Sequence, residues 1–137
     1  MRKGKYYEKN LRKISGGIIF SILIICISIT VFAFKNEYRS TYNFDSALYS
    51  TTFSVKANGR VWVKLSPKKT ESIPTIQMEL ERESWYGWKK VGDKKTVRTL
   101  DKSVSEFKAD KSGTYRINFS NVYANPAKGN VKITFEN

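Results

Sequence analysis

Hydrophobic and polar residues follow two different patterns in this chain, and the pattern changes near Lys35. Residues 14–34 carry no charge, and residues 18–34 are almost wholly apolar. A segment of this length and polarity can cross a bilayer as a helix. Six of the thirteen residues before it are basic and one is acidic, and such a flank stays on the cytoplasmic side. The sequence therefore predicts one N-terminal hydrophobic helix followed by an exported remainder.

The sequence leaves two interpretations of residues 1–34 open. Val31-Phe32-Ala33 offers the small residues that a signal peptidase reads, so the segment would be a signal peptide cleaved after Ala33. The apolar run is also long enough to remain as an N-terminal membrane anchor. The exported part is secreted in the first case and held outside the membrane in the second. The leader resembles those of Gram-positive bacterial proteins, and its single cysteine, Cys26, is interpreted as an ordinary apolar residue.

Beyond residue 50, apolar residues recur with a period of two, which is typical of strands with one buried face. We expect Asn58-Gly59 to form a tight hairpin between the first two strands, and Gly92-Asp93 to form another turn. About seven or eight short strands without helical spacing predict an all-β fold, an antiparallel Greek-key or immunoglobulin-like β-sandwich. The sandwich would span residues 50–137, and the polar residues 35–49 would be an irregular linker.

A local resemblance supports this class of fold. The run Asp110-Lys111-Ser112-Gly113-Thr114-Tyr115 resembles the tyrosine corner of immunoglobulin-like and related Greek-key sandwiches. The resemblance implies that the Tyr115 hydroxyl bonds back to nearby backbone and fixes the turn to its strand. The exported region as a whole also resembles small β-sandwich proteins secreted by Gram-positive bacteria, a likeness that implies a fold and no activity.

The residue types present make most enzymatic chemistry unavailable. The chain has no histidine, and the exported part has no cysteine, so Ser-His-Asp, cysteine-nucleophile and zinc sites cannot be built in their usual forms. Glu79, Glu81 and Glu83 share one strand face. They could offer oxygens to calcium, although such a row is more often a solvated face paired with lysines across the sheet. We expect no enzyme, cofactor or metal site.

Aromatic and basic residues are the candidates for binding. The cluster Trp85-Tyr86-Gly87-Trp88 could plug the core or form an exposed contact surface. Trp62 alternates with the apolar residues of its strand, so we expect its ring at the surface near cations. The chain carries a formal net charge of +13, which suits anionic partners or simply solubility. The candidate binding residues are Trp62, Lys64, Trp85, Tyr86, Trp88, Lys89 and Lys90.

These observations predict an exported, non-enzymatic binding or structural module of the cell envelope or the secreted fraction. Its N-terminal segment would contact the membrane at least transiently. The expected partners are an anionic wall polymer, lipid headgroups or a protein, and not nucleic acid, because the domain lies outside the cell. Two alternatives stay open: a cationic secreted effector that acts on membranes or other cells, and a subunit of a membrane complex.

Overall fold

The computed structural model describes residues 35–69, 72–123 and 126–137. Within these ranges no helix is long and apolar enough to cross a bilayer, and the predicted helix within residues 1–34 lies outside them. Nine antiparallel strands form the described part of the chain. They are β1 Lys35–Phe44, β2 Ala47–Tyr49, β3 Phe53–Val55, β4 Arg60–Pro67, β5 Thr75–Ser84, β6 Gly87–Arg98, β7 Ser103–Lys108, β8 Gly113–Asn121 and β9 Ala127–Glu136.

The strands form two sheets. Sheet A has the order β1-β9-β4-β7, and sheet B has the order β2-β8-β5-β6, with β3 also paired to β8. The chain changes sheet at most connections, which gives the double Greek key of a jelly roll. The prediction of an all-β fold of antiparallel strands in two sheets is therefore confirmed. β1 and β2 lie in different sheets, whereas an immunoglobulin-like fold keeps its first two strands side by side in one sheet.

The core lies between the sheets and consists of the residues that alternate inward. The largest fully buried side chains are Tyr115, Leu65, Met78, Leu80, Ile117, Ile133, Val61 and Val63. Burying one such side chain contributes about 1.5–3 kcal/mol relative to leaving it in water. Residues 35–137 contain no cysteine, so this apolar layer, rather than any disulfide, stabilises the sandwich.

The linker predicted at residues 35–49 is wrong, because these residues form β1 and β2. β1 pairs with β9 over its whole length, from Lys35 opposite Glu136 to Phe44 opposite Ala127. Tyr42 and Phe44 are buried in the core, and Tyr38 packs against it. Arg39, Thr41 and Asn43, which alternate with these residues, are exposed on the other face. These two extra strands explain why the described residues contain nine strands instead of seven or eight.

The hairpin predicted at Asn58-Gly59 is also wrong, although the turn itself exists. Gly59 N donates to Lys56 O at 2.9 Å, and Asn58 has a positive φ of 59°. The two flanking strands nevertheless join different sheets, since β3 pairs with β8 whereas β4 pairs with β7 and β9. A Cβ at Gly59 would lie 2.8 Å from Val55 Cγ1, so the turn requires glycine there for a close approach between the sheets.

Gly92-Asp93 lies inside β6 and forms a bulge instead of the predicted turn. Gly92 has a φ of 73°, and the register of β5 against β6 shifts between Met78 and Leu80. Extra residues in one strand of a pair bend that strand and interrupt the ladder. The bulge lets β6 continue from Gly87 to Arg98 as one strand.

The tyrosine corner has the predicted geometry. The buried Tyr115 hydroxyl accepts a hydrogen bond from Lys111 N at 3.3 Å and lies within bonding distance of Lys111 O. It also lies 3.0 Å from Asp110 Oδ1, and Asp110 forms an ion pair with Arg82. Burial opposes ionisation of Asp110, but the bonds from Arg82, Tyr115 and the Lys111 amide outweigh it and lower the pKa of the carboxyl. The corner fixes the start of β8.

Candidate functional site

The structure separates the seven candidate residues into two groups. Trp62 and Lys64 lie on β4, on the outer face of sheet A. The other five, Trp85, Tyr86, Trp88, Lys89 and Lys90, lie on the β5–β6 hairpin of sheet B. The outer faces of a sandwich point in opposite directions. The seven residues therefore do not form one surface, and each group is considered separately.

Three cations stand side by side on the outer face of sheet A. Arg39 of β1 is directly opposite Lys132 of β9, and Lys132 is directly opposite Lys64 of β4. We call Arg39, Lys132 and Lys64 the basic row. Like charges directly opposite each other in an antiparallel pair destabilise the sheet. This arrangement is thus a cost to the fold that a bound anion would relieve.

One carboxylate reaches the basic row from within the sheet. Glu37 forms an ion pair with Arg39 and lies 3.3 Å from Lys132 Nζ. The hydrogen bond from Arg39 is the main reason why the pKa of Glu37 is lowered, with Lys132 adding to it against the effect of desolvation. Among the described residues, Lys64 has no ion pair. The row therefore keeps a surplus of positive charge at neutral pH.

Two open depressions flank the row. The first, of about 540 Å³, is lined by Arg39, Lys64 and Lys132 together with the polar side chains of Ser40, Thr41, Ser66 and Asn130. The second, of about 200 Å³, contains Lys64 and Lys132 again, with Lys35, Trp62 and Thr134. Lysine and arginine supply charge, while hydroxyl and amide groups can exchange hydrogen bonds with an oxyanion. Together they make an elongated basic surface with polar walls.

Trp62 lies on this outer face, as predicted, but its ring is partly buried. Its indole Nε1 donates to Glu106 Oε2 at 3.1 Å, and Lys35 Nζ lies 4.7 Å from the ring centroid. The bond to Glu106 and the cation over the ring both fix its position. Trp62 thus forms a fixed wall of the smaller depression.

The turn of the β5–β6 hairpin carries the most exposed aromatic residues. Ser84 pairs with Gly87, so Trp85 and Tyr86 are the two turn residues. Trp85 is 95% exposed and Tyr86 is 63% exposed, and their rings meet edge to face with centroids 5.1 Å apart. These two residues are therefore not the core plug that one interpretation of the cluster predicts. They are exposed, as the other interpretation requires, and their role as a contact surface stays a prediction.

Trp88 belongs instead to a stack on the outer face of sheet B. The Arg116 guanidinium lies between the rings of Tyr49, at 3.9 Å, and Trp88, at 4.2 Å. Arg116 Nε also donates to Glu81 Oε2 at 2.7 Å, and Glu81 is only 6% exposed. This stack was not predicted, since its members come from β2, β5, β6 and β8. Its charge is balanced internally, so we assign it a structural role.

Two of the three glutamates on β5 pair with cations across the strands, but the solvated-face interpretation holds only in part, because Glu81 is buried against Arg116 and Glu83 forms no ion pair among the described residues. Glu79 contacts Lys90 Nζ at 3.0 Å and Lys94 Nζ at 3.9 Å. The described ranges contain no group of three or more acidic, cysteine or histidine side chains that could hold a metal ion. Because it contacts Glu79, Lys90 is engaged within sheet B. Lys89, its neighbour, is exposed and lies opposite Arg82.

Comparisons with known proteins found similar solved structures of low sequence identity. No protein-family model matches the chain, and no curated protein matches it. The crystal structure of PirA is similar over 72% of this chain and 94% of its own, with 12% identity and a TM-score of 0.48. Tripeptidyl peptidase 2 matches 74% of this chain and 10% of its own, with 8% identity and a TM-score of 0.52. A carbohydrate-binding module specific for non-crystalline cellulose covers 74% of this chain and 70% of its own, with 14% identity and a TM-score of 0.41. Such likeness concerns the sandwich fold alone.

Proposed function

We propose that the domain is a non-enzymatic module of the cell envelope that binds an anionic polymer through the outer face of sheet A. The observation that carries this proposal is the basic row, in which Lys132 stands directly between Arg39 and Lys64. Among the described residues one carboxylate, that of Glu37, contacts the basic row, and it cannot balance three cations. A ligand that brings negative charge would remove the repulsion, so binding and folding would support each other.

The dimensions of the row favour a polymer over a single small anion. Neighbouring strands lie about 4.8 Å apart, so the three cations span roughly 10 Å across β1, β9 and β4. The two depressions extend this surface on both sides of Lys64 and Lys132. A chain with repeated phosphate groups could contact several of these residues at once. If the domain is exported, as the sequence predicts, phosphate-rich wall polymers are the nearest ligands of this kind.

Cosedimentation of the protein with purified Gram-positive cell walls tests the proposal. We expect binding at low salt that weakens as salt rises, because the Debye length falls from about 10 Å at 0.1 M to about 3 Å at 1 M. The variant Lys64→Gln/Lys132→Gln should lose most of this binding, since it removes two of the three cations. Walls stripped of their phosphate polymers should retain little of the wild-type protein.

A matched variant controls for the loss of net charge alone. Lys94→Gln/Lys95→Gln removes the same charge from the exposed β6 bulge, on the other sheet. It should bind walls nearly as well as the wild type. Equal losses in the two variants would mean that the total charge matters and the basic row does not. Undiminished binding of Lys64→Gln/Lys132→Gln would refute the proposal.

A further inference from the structure

We propose that one end of the sandwich rests on a lipid bilayer. This end carries Lys35 and the turn residues Trp85 and Tyr86, whose two rings lie in the headgroup layer. We call it the Lys35 end. This inference does not depend on the basic row, which lies on the outer face of sheet A. It concerns a different surface and a different partner.

Strand pairing shows which residues share the Lys35 end. Val55, the last residue of β3, pairs with Gly113, the first residue of β8. The next residue, Lys56, donates its backbone N–H to Glu136 O at 3.2 Å. Glu136 is in turn the partner of Lys35. The start of β1, the end of β9 and the start of β8 therefore meet at one end of the fold.

The β5–β6 turn projects from the same end. Arg82 of β5 pairs with Tyr115, two residues after the start of β8, and β5 continues from there toward Ser84. Trp85 and Tyr86 follow directly, at the level of Gly113 or beyond it. The two most prominent rings of the described surface thus point away from the sandwich beside the point where β1 begins.

These rings have no role in the core and suit a membrane interface. Trp85 is almost fully exposed, whereas a tryptophan in a monomeric soluble protein is usually mostly buried. Tryptophan and tyrosine concentrate at the level of the lipid headgroups, where the ring is half apolar and its polar atom still finds water. The edge-to-face contact of the two rings holds them together as a single projection.

The charge around the turn fits an anionic bilayer surface. The lysines Lys56, Lys89, Lys108 and Lys111 are exposed on the strands and loops of this end. Two of the nearby carboxylates are already engaged: Asp110 by Arg82, and Glu136 by the backbone N–H of Arg60 at 2.8 Å. Basic residues beside an aromatic anchor are attracted to anionic lipids. The aromatic rings and the lysines therefore favour the same partner.

The course of the chain gives the third argument. Lys35, in β1, directly follows the uncharged residues 14–34 in the sequence. If those residues enter a bilayer, as the sequence predicts, the chain leaves the membrane within a few residues of Lys35, and this would favour contact of Trp85 and Tyr86 with the headgroups.

Fluorescence of the full-length protein in vesicles tests the inference. The variant Trp62→Phe/Trp88→Phe keeps Trp85 as its only tryptophan, because the chain contains three. In vesicles of neutral phosphatidylcholine we expect a blue-shifted emission, strong quenching by brominated lipids and weak quenching by aqueous iodide. Adding anionic phosphatidylglycerol should strengthen the lipid quenching. Far-UV circular dichroism verifies that the sandwich is retained.

A second variant supplies the matched control. Tyr123 is exposed and follows β8 at the opposite end of the sandwich. In Trp62→Phe/Trp85→Phe/Trp88→Phe/Tyr123→Trp, the tryptophan at position 123 should be quenched by iodide and not by brominated lipids. Equal lipid quenching at positions 85 and 123, or none at position 85, would overturn the inference. Adding Lys64→Gln and Lys132→Gln to the first variant should leave its lipid quenching unchanged, whereas a loss would assign the contact to the basic row.

Discussion

Replacing Arg116 with methionine should destabilise the sandwich strongly, because it leaves the buried carboxylate of Glu81 without its cation. Arg116 donates to this carboxylate at 2.7 Å, and in the described part of the chain the only other donor that reaches it is Asn118 Nδ2, at 3.3 Å. Methionine is apolar and unbranched, so it can still fill the space between Tyr49 and Trp88. The substitution therefore isolates the loss of charge from the loss of packing.

The expected magnitude follows from the burial of the pair. Removing one partner of a buried ion pair costs about 3–5 kcal/mol, since the remaining charge is left uncompensated. The loss of two cation–π contacts adds about 0.5–1 kcal/mol each where the stack is open to water. The Asn118 amide and partial solvation of the outer face reduce the penalty. We therefore expect the free energy of unfolding to fall by about 3 kcal/mol.

A double-mutant cycle in urea, followed by tryptophan fluorescence, measures the coupling. In Glu81→Gln/Arg116→Met the uncompensated charge is absent, so most of the stability lost in Arg116→Met should return. A coupling energy of about 2 kcal/mol between the two positions is expected for a contacting pair. If Arg116→Met has the same free energy of unfolding as the wild type, or if the double variant is no more stable than Arg116→Met alone, the ionic account of this stack is wrong.

Three further substitutions test other parts of the fold. Burial raises the pKa of Tyr42 to about 12, and its hydroxyl has no hydrogen-bond partner among the described residues. The unfolded chain ionises this tyrosine near pH 10, so the free energy of unfolding should fall by about 2–3 kcal/mol as the pH rises from 10 to 12. Tyr42→Phe should remove this dependence. If the wild type and Tyr42→Phe give parallel pH profiles in urea unfolding, the prediction is wrong. A Cβ at Gly129 would lie 2.6 Å from Ser66 O, so Gly129→Ala should lower the stability measured by thermal unfolding by about 1–3 kcal/mol. Gly113→Ala should cost much less, because a Cβ at Gly113 meets only ordinary contacts. Similar costs for the two variants would refute the packing argument. Tyr115→Phe removes the hydroxyl of the tyrosine corner and should cost about 1–3 kcal/mol, and an unchanged melting temperature would show that this hydroxyl does not stabilise the turn.

For several strands the sequence was sufficient to predict which residues face the core. The alternation at Val61, Val63 and Leu65, like that at Ile117 and Phe119, is a local consequence of the pleat and is seen in the structure. β1 has the same alternation at Tyr42 and Phe44, but the polar composition of residues 35–49 hid it. A count of apolar residues at every second position would have found this strand.

Strand partners could not be predicted, because pairing is decided by distant parts of the chain. Asn58-Gly59 has the same local conformational preference in a hairpin as in a connection between sheets. What decides between them is that β4 pairs with β7 and β9, which follow later in the chain. The basic row shares this origin. Lys64 and Lys132 are 68 positions apart in the sequence, and only the register of β4 against β9 places them side by side.

The most direct test of the account is an NMR titration of residues 35–137 with a soluble poly(glycerol phosphate), in which each backbone amide is followed. The account predicts salt-sensitive shifts on β1, β9 and β4, centred on Arg39, Lys64 and Lys132, with little change at Glu79 or Lys90 on the opposite sheet. Shifts confined to sheet B, or none at low salt, would contradict it.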